Sequence, residues 1–268
     1  PFHKYQGKAL NGLYIASERW AARRCDRIVS VADAMTRQYL TEGIGTPSQY
    51  TTVRSGMDVD DFLNASVGES RRESRAALGL LPGDFVVGTV ARLAELKGHD
   101  DVLDALGPVL KSRPDWKLLW VGDGWWRDRL SERIRGMGLA NKVVMTGLVG
   151  HERVPAMMAA MDVLAHPSYR EGLPRTVPQA LLCGVTPVAY DVDGTGEVCR
   201  DGLTGRLIRA GDLVGLRSAV VGLYDDGESR RRMAEQGRVE CRELFSARTM
   251  VALLEDVYAQ AKEQASRW

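Results

Sequence analysis

Between residues 84 and 190, short apolar runs alternate with amphipathic stretches, and little lies between them. "DFVVGTVARL" (84–93) carries a β-branched apolar block and is predicted as a strand. "GHDDVLDALGPVLKSRP" (98–114) spaces its apolar residues by three and four and ends at a proline, the pattern of an amphipathic helix. The alternation continues with a strand in "WKLLWVG" (116–122) and a helix in "WWRDRLSERIRGMG" (125–138), which ends at Gly136 or Gly138. A third strand in "KVVMTG" (142–147) precedes a short helix in "VPAMMAAM" (154–161). A fourth strand in "DVLAHPS" (162–168), a helix in "PRTVPQALLCG" (174–184) and a fifth strand in "VTPVAY" (185–190) complete the series. Strands apolar on both faces, separated by helices, predict an α/β fold: a Rossmann-like parallel sheet covered on both sides. Helices over 212–224, 227–242 and 246–264 close the chain.

The first 62 residues do not complete a domain in this pattern. "KALNGLYIASERWAARRC" (8–25) and "ADAMTRQYLTEG" (32–43) are helical, while "DRIVSV" (26–31) and "YTTVRSGMD" (50–58) supply one or two strands. That is the tail of a preceding α/β domain rather than a sheet of its own. The expected division is 1–62, 63–243 and 244–268.

Composition narrows the function classes. The chain of 268 residues is 44% hydrophobic, so a large core can be buried, and its net charge of +1 provides no overall field for nucleic acid or membrane. Cys25, Cys183, Cys199 and Cys241 form no C-x-x-C pair and read as reduced thiols of a cytosolic protein. No apolar run reaches the roughly 18 residues of a membrane span, and the start has no secretory signal pattern. The chain opens on Pro1 rather than Met, as a processed chain or a fragment would.

Ligands of open parallel sheets bind beyond the carboxyl ends of the strands, so the loops there carry the chemistry. After the first strand, Arg92 and Lys97-Gly98 place two cations five residues apart at a helix start, which suits a diphosphate or two solvated surface charges. After the second, "VGDGWW" offers Gly122 and Gly124 for a tight turn, with Trp125 and Trp126 more suited to packing than to base stacking. After the third, "GLVGHER" presents backbone that a nucleobase edge can use. After the fourth, "REGLPRTVPQALLCG" (170–184) sets Glu171 beside a glycine and ahead of Pro174 and Pro178, both expected in the first helical turn. An acid beside bared amides fits a polyhydroxylated ligand that carries phosphate, and equally a plain surface loop. Arg175 and Gln179 are expected to share a face of that helix. After the fifth, Asp191 and Asp193 in "DVDGTGEV" form either an Asp-x-Asp metal site or a turn, with the turn favoured because "DVD" recurs at 58–60. The histidines His3, His99, His151 and His166 lack ligand spacing, and His99 and His151 are expected at caps or on the surface.

Taken in order, "VGTVARLAELKG", "LLWVGDG", "VVMTGLV", "DVLAHPSYREGLPRTVPQALLCGVTPVAYDVDGTGEV" and "DGLTGRLI" resemble the donor-binding half of the glycosyltransferase family 4 enzymes, which have the GT-B fold. The likeness spans roughly residues 50 to 260. It implies retaining transfer of a sugar from a nucleotide-diphosphate sugar, with no cofactor and no bound metal. In that likeness Arg92 and Lys97 hold the diphosphate, and Glu171 is the first acid of a Glu-x7-Glu motif near the donor sugar and the catalytic candidate. Gly172 and Leu173 offer amides beside it, and the Val149 backbone faces the base. Gln179 stands where the second acid is expected, so ribose would meet an amide with one acceptor and one donor.

The resemblance also implies an acceptor bound by an N-terminal domain of which residues 1–62 are the last part, 63–243 being the donor domain and 244–268 the crossover helix. "SGMD" (55–58) resembles the turn into the donor domain, and His3 is not assigned the family's catalytic histidine role. Cytoplasmic polysaccharide biosynthesis follows as the setting, with peripheral attachment at the inner membrane face left open. Two alternatives stand beside this expectation. One is a free-standing or degenerate nucleotide-sugar binding module without transfer activity; the other is a metal-dependent transferase using Asp191 and Asp193.

Overall fold

The computed structural model describes residues 6–65 and 68–265. The chain divides into two compact units, Pro1–Gly56 with Ala247–Trp268, and Met57–Ser246.

The first unit holds α1 (Lys8–Ala22), β1 (Ile28–Ser30), α2 (Asp33–Thr41) and β2 (Tyr50–Thr52), joined by the final helix Ala247–Ala265. Its two strands pair in parallel, Ile28 opposite Tyr50. Ala22 and Ile44 form a small buried centre under Ile15, Ile28 and Tyr39. The Gln49 amide donates to the carbonyls of Ala22 and Cys25, and so ties the end of α1 to the start of β2.

The second unit begins with α3 (Val59–Ala65) and α4 (Gly68–Ala77) and then alternates. β3 (Phe85–Val90), α5 (His99–Ser112), β4 (Trp116–Val121), α6 (Arg127–Gly136) and β5 (Val143–Met145) make one half. α7 (Val154–Ala159), β6 (Val163–His166), α8 (Thr176–Leu182), β7 (Thr186–Tyr190) and β8 (Arg206–Ile208) make the other, followed by α9 (Leu213–Asp225) and α10 (Gly227–Leu244). The final helix, Ala247–Ala265, is α11.

The six strands are all parallel in the order β5-β4-β3-β6-β7-β8. This is the doubly wound arrangement predicted from the apolar runs. Alternate residues of each strand feed opposite faces. Phe85, Val87, Leu118, Trp120 and Val188 pack under α5, α6 and α9, whereas Val86, Leu119, Leu164 and Ala189 pack under α3, α7, α8 and α10. Strand order reverses between β3 and β6, which opens a crevice at their carboxyl ends.

Three elements escaped the hydrophobic pattern: α3, α4 and β8. α4 reads "GESRRESRAA" and has no apolar stripe. Polar contacts hold it instead. Arg75, nearly buried, donates to the carbonyls of Ala160, Pro82 and Asp84 and to Asp162 Oδ2 at 2.7 Å. Arg71 donates to the Ala159 carbonyl, to the Met161 carbonyl and to Asp162 Oδ1 at 2.8 Å. Asp162 also accepts the Val86 N–H, so one carboxylate joins α4, the entry to β6 and β3. β8 is three residues long, below the length at which periodicity speaks.

The division between units falls at 56/57 and 246/247, where residues 62/63 and 243/244 were expected. α3 accounts for the first shift. Phe62 is buried in the second unit's core, and its carbonyl accepts from the Cys183 thiol. At the other end, the Met57 N–H donates to the Phe245 carbonyl, so the chain enters and leaves this unit side by side.

Candidate functional site

Two loops meet at the crevice, one after β3 and one after β6. Gly98 makes their approach possible. It caps α5 in the left-handed conformation with φ 70°, and a Cβ there would stand 2.1 Å from the Pro167 carbonyl oxygen. The Leu96 carbonyl accepts the Tyr169 N–H at 2.8 Å and lies 3.2 Å from Ser168 Oγ. Asp101, in the first turn of α5, accepts both the Tyr169 and Tyr190 hydroxyls at 2.7 and 2.6 Å. The cation-bearing loop and the acid-bearing loop are therefore fastened along their length.

Across this seam Lys97 Nζ donates to Glu171 Oε1 at 2.6 Å and stands 3.5 Å from Ser168 Oγ. His166, at the end of β6, is 5% exposed and brings Nε2 to 3.4 Å from the same carboxylate oxygen, an electrostatic contact rather than an aligned hydrogen bond. Its Nδ1 lies 3.2 Å from Thr176 Oγ1, on the first residue of α8. Burial alone would push the Glu171 carboxyl up, but His166 and Lys97 outweigh it and hold it at about 2. At neutral pH Glu171 is thus an acceptor and a fixed negative charge, not a proton donor.

The Glu171 backbone is fixed as well. Its N–H donates to Asp193 Oδ2 at 2.7 Å, and the Gly172 carbonyl accepts the Gly194 N–H at 3.0 Å. Among the described residues nothing accepts from the N–H groups of Gly172 or Leu173, so these amides are bare as expected.

The remaining expected residues are placed as follows. Arg92 is exposed in the loop after β3, its guanidinium carbon 5.6 Å from the centre of the exposed Trp125 ring. Gly124 seats that loop, since a Cβ there would meet the Leu93 carbonyl at 2.3 Å. Trp126 packs against the core, but Trp125, also expected to pack, is 69% exposed. Val149 and Leu173 are half-buried against the second core, and Gln179 is half-buried on α8.

Other expectations need correction. α8 begins at Thr176, so Pro174 lies outside it and only Pro178 falls in its first turn. Arg175 is the N-cap, already helical in conformation, and its carbonyl accepts the Gln179 N–H at 3.3 Å, so the two stand one turn apart, Arg175 exposed and Gln179 half-buried. His99 is neither a cap nor on the surface: it is fully buried, edge-on to Trp120 at 4.9 Å. His151 is exposed as expected, and His3 lies outside the described residues. All four cysteines are free, and burial pushes the thiols of Cys183, Cys199 and Cys241 up to about 12. Asp193 serves the Glu171 amide, and among the described residues no group of three or more His, Cys, Asp and Glu side chains is arranged to hold a metal ion. No helix among them is long and apolar enough to cross a membrane.

His166 is the member of the cluster that the sequence pattern did not select, and Asp193 was selected only as a turn or metal-ligand residue, not as a partner of Glu171. No spacing rule connects either to Glu171; a histidine ending a strand beside the Glu171 loop was the one available signal.

His99 carries a pH prediction. Burial, with Lys97 adding to it, lowers its pKa from 6.5 to about 4. The unfolded chain therefore binds the extra proton first as pH falls. Stability from this residue is complete above pH 6.5 and drains between 6.5 and 4, by about 3 kcal/mol in total. His99→Phe should remove that loss. Urea denaturation at pH 7.5 and 4 checks it, and equal losses in both proteins would refute it.

Comparisons with known proteins bear on the same region. Residues 70–240 match the family model described as "Glycosyl transferases group 1". A 2-deoxystreptamine N-acetyl-D-glucosaminyltransferase of Streptomyces fradiae is 30% identical over 233 residues, which is 82% of this chain and 52% of that protein. The GDP-mannose-dependent alpha-(1-6)-phosphatidylinositol monomannoside mannosyltransferase of Mycolicibacterium smegmatis is 29% identical over 243 residues, 88% of this chain and 63% of that one. Among solved structures, that of Anabaena Alr3699/HepE in complex with UDP shares the fold, with a TM-score of 0.84 at 23% identity over 98% of this chain and 70% of the other. The chain spans about half the length of the curated relatives it matches first.

Proposed function

This chain belongs to the glycosyl transferases group 1 family, and from that premise we propose that its Met57–Ser246 unit binds a nucleotide-diphosphate sugar as the donor for glycosyl transfer. The observation that carries the reading is the Lys97–Glu171 pair at the crevice between β3 and β6, beside the bare amides of Gly172 and Leu173.

In this reading Arg92 and Lys97 meet the diphosphate, and their charge stabilises the leaving group as the sugar departs. The amides of Gly172 and Leu173 complete the anion cradle. Glu171, ionised at neutral pH, accepts the sugar hydroxyls and faces the positive charge that grows at the anomeric carbon. The Val149 backbone lies at the base and Gln179 at the ribose. Transfer is retaining and needs no metal, because side-chain cations and amides offset the phosphate charge. The acceptor is held by an N-terminal domain, so these 268 residues bind donor and by themselves release no transfer product.

Calorimetry with UDP, GDP and ADP and their sugar conjugates, in chelator and in millimolar magnesium, tests the reading. One nucleoside diphosphate should bind with equal affinity in both conditions. Loss of binding in chelator would favour a metal-dependent transferase at Asp191 and Asp193. Glu171→Ala should weaken the sugar conjugate about tenfold or more and the bare diphosphate little, since only the conjugate carries sugar hydroxyls. Equal weakening of both would place Glu171 at the phosphates or ribose instead.

A further inference from the structure

Among the described residues, the two non-glycine residues with positive φ are Leu96 at 65° and Asp193 at 46°. Both adjoin the same ion pair. Leu96 precedes Lys97, and Asp193 Oδ2 accepts the Glu171 N–H. Left-handed backbone is costly for residues with a Cβ and persists where surrounding contacts enforce it. Aspartate is among the residues that tolerate it, but glycine adopts it with no steric penalty. A turn that needed only this conformation would be served at least as well by glycine. What glycine lacks is the carboxylate.

We propose that Asp193 is a positioning residue for the donor site: its carboxylate clamps the Glu171 amide, and so sets where the Glu171 side chain stands against Lys97 and the donor sugar. The clamp has two parts that separate cleanly. The Gly194 N–H to Gly172 carbonyl bond is backbone to backbone and survives substitution at position 193. The Asp193 Oδ2 bond is a charge-assisted contact to a loop amide at the exposed side of the site and depends on the side chain. By taking the Glu171 N–H, Asp193 also leaves Gly172 and Leu173 as the amides open to an anion, which divides the loop into an anchored residue and two ligand-facing ones. The inference deepens the donor reading above and rests on it for the identity of the ligand.

Asp193→Asn and Asp193→Gly distinguish a clamp from a turn. Asparagine keeps both an acceptor oxygen and tolerance of positive φ; glycine keeps the backbone conformation and deletes the acceptor. The Glu171 amide resonance in a proton–nitrogen correlation spectrum reports the bond without any ligand. It should lie downfield in the wild type, remain close in Asp193→Asn, and move upfield in Asp193→Gly. The ratio of sugar-conjugate to nucleoside-diphosphate affinity should fall about tenfold in Asp193→Gly and hold within about threefold in Asp193→Asn. An unchanged resonance in Asp193→Gly overturns the clamp. A moved resonance with an unchanged affinity ratio overturns the positioning role. If the resonance responds as expected but the wild type binds no nucleotide of the panel, the clamp stands and the donor reading fails.

Discussion

Alanine at both Arg92 and Lys97 should bring nucleoside diphosphate binding close to the limit of detection. Hydrogen bonds to charged groups contribute about 1.5–3 kcal/mol each, so each single variant should weaken binding tenfold to a hundredfold. The two sum to about 3–6 kcal/mol, an upper bound because neighbouring charges on one ligand are not independent. Lys97 has a second consequence, since with His166 it keeps the Glu171 carboxyl near 2. Without Lys97 the burial penalty is less opposed, and Glu171 should titrate upward, with His166 still holding it down. Calorimetry on the wild type, both singles and the double gives the affinities. Thermal unfolding shows that each variant remains folded. Undiminished affinity in the double variant would remove the phosphates from this loop and, with them, the donor reading.

The second large effect concerns α4. Asp162→Ala should destabilise the protein by about 3–5 kcal/mol, the usual cost of breaking a buried ion pair from one side. The Asp162 side chain is 16% exposed and Arg75 6%, so deleting the carboxylate strands a guanidinium with little access to water. Arg71 has more recourse at 32% exposure. Val86 would also lose the acceptor for its N–H at the sheet's centre. Asp162→Asn keeps an acceptor and should cost distinctly less. Urea denaturation followed by circular dichroism measures both, and a change below about 1 kcal/mol for Asp162→Ala would show that α4 is held by other means.

How much of this was legible in the sequence differs from feature to feature. The strands from Phe85 to Tyr190 were legible because each is apolar on both faces, a property of residues adjacent in sequence. Lys97 and Glu171 were legible as a cation and an acid in loops after strands, and the sheet rule sends such loops to one edge. Their direct bond, across 74 positions, was not foreseen. α4 was missed because what fixes it, Arg71 and Arg75 on Asp162, acts across 91 and 87 positions and leaves no periodic trace. His99 was misplaced for a related reason: first residues of helices are usually exposed, but here the neighbouring strand brings Trp120 over it.

Local pattern was thus enough for the doubly wound sheet, the order of its elements and the loops that bear charge, since burial on two faces writes itself into neighbouring residues. Which polar atoms meet was settled only by the packed chain. His166 reaches Glu171 because β6 ends where it does, and Asp193 reaches the Glu171 amide because its backbone turns to φ 46°. Both contacts depend on angles and on separations through space that are set by the sheet as a whole, and no stretch of sequence encodes them alone.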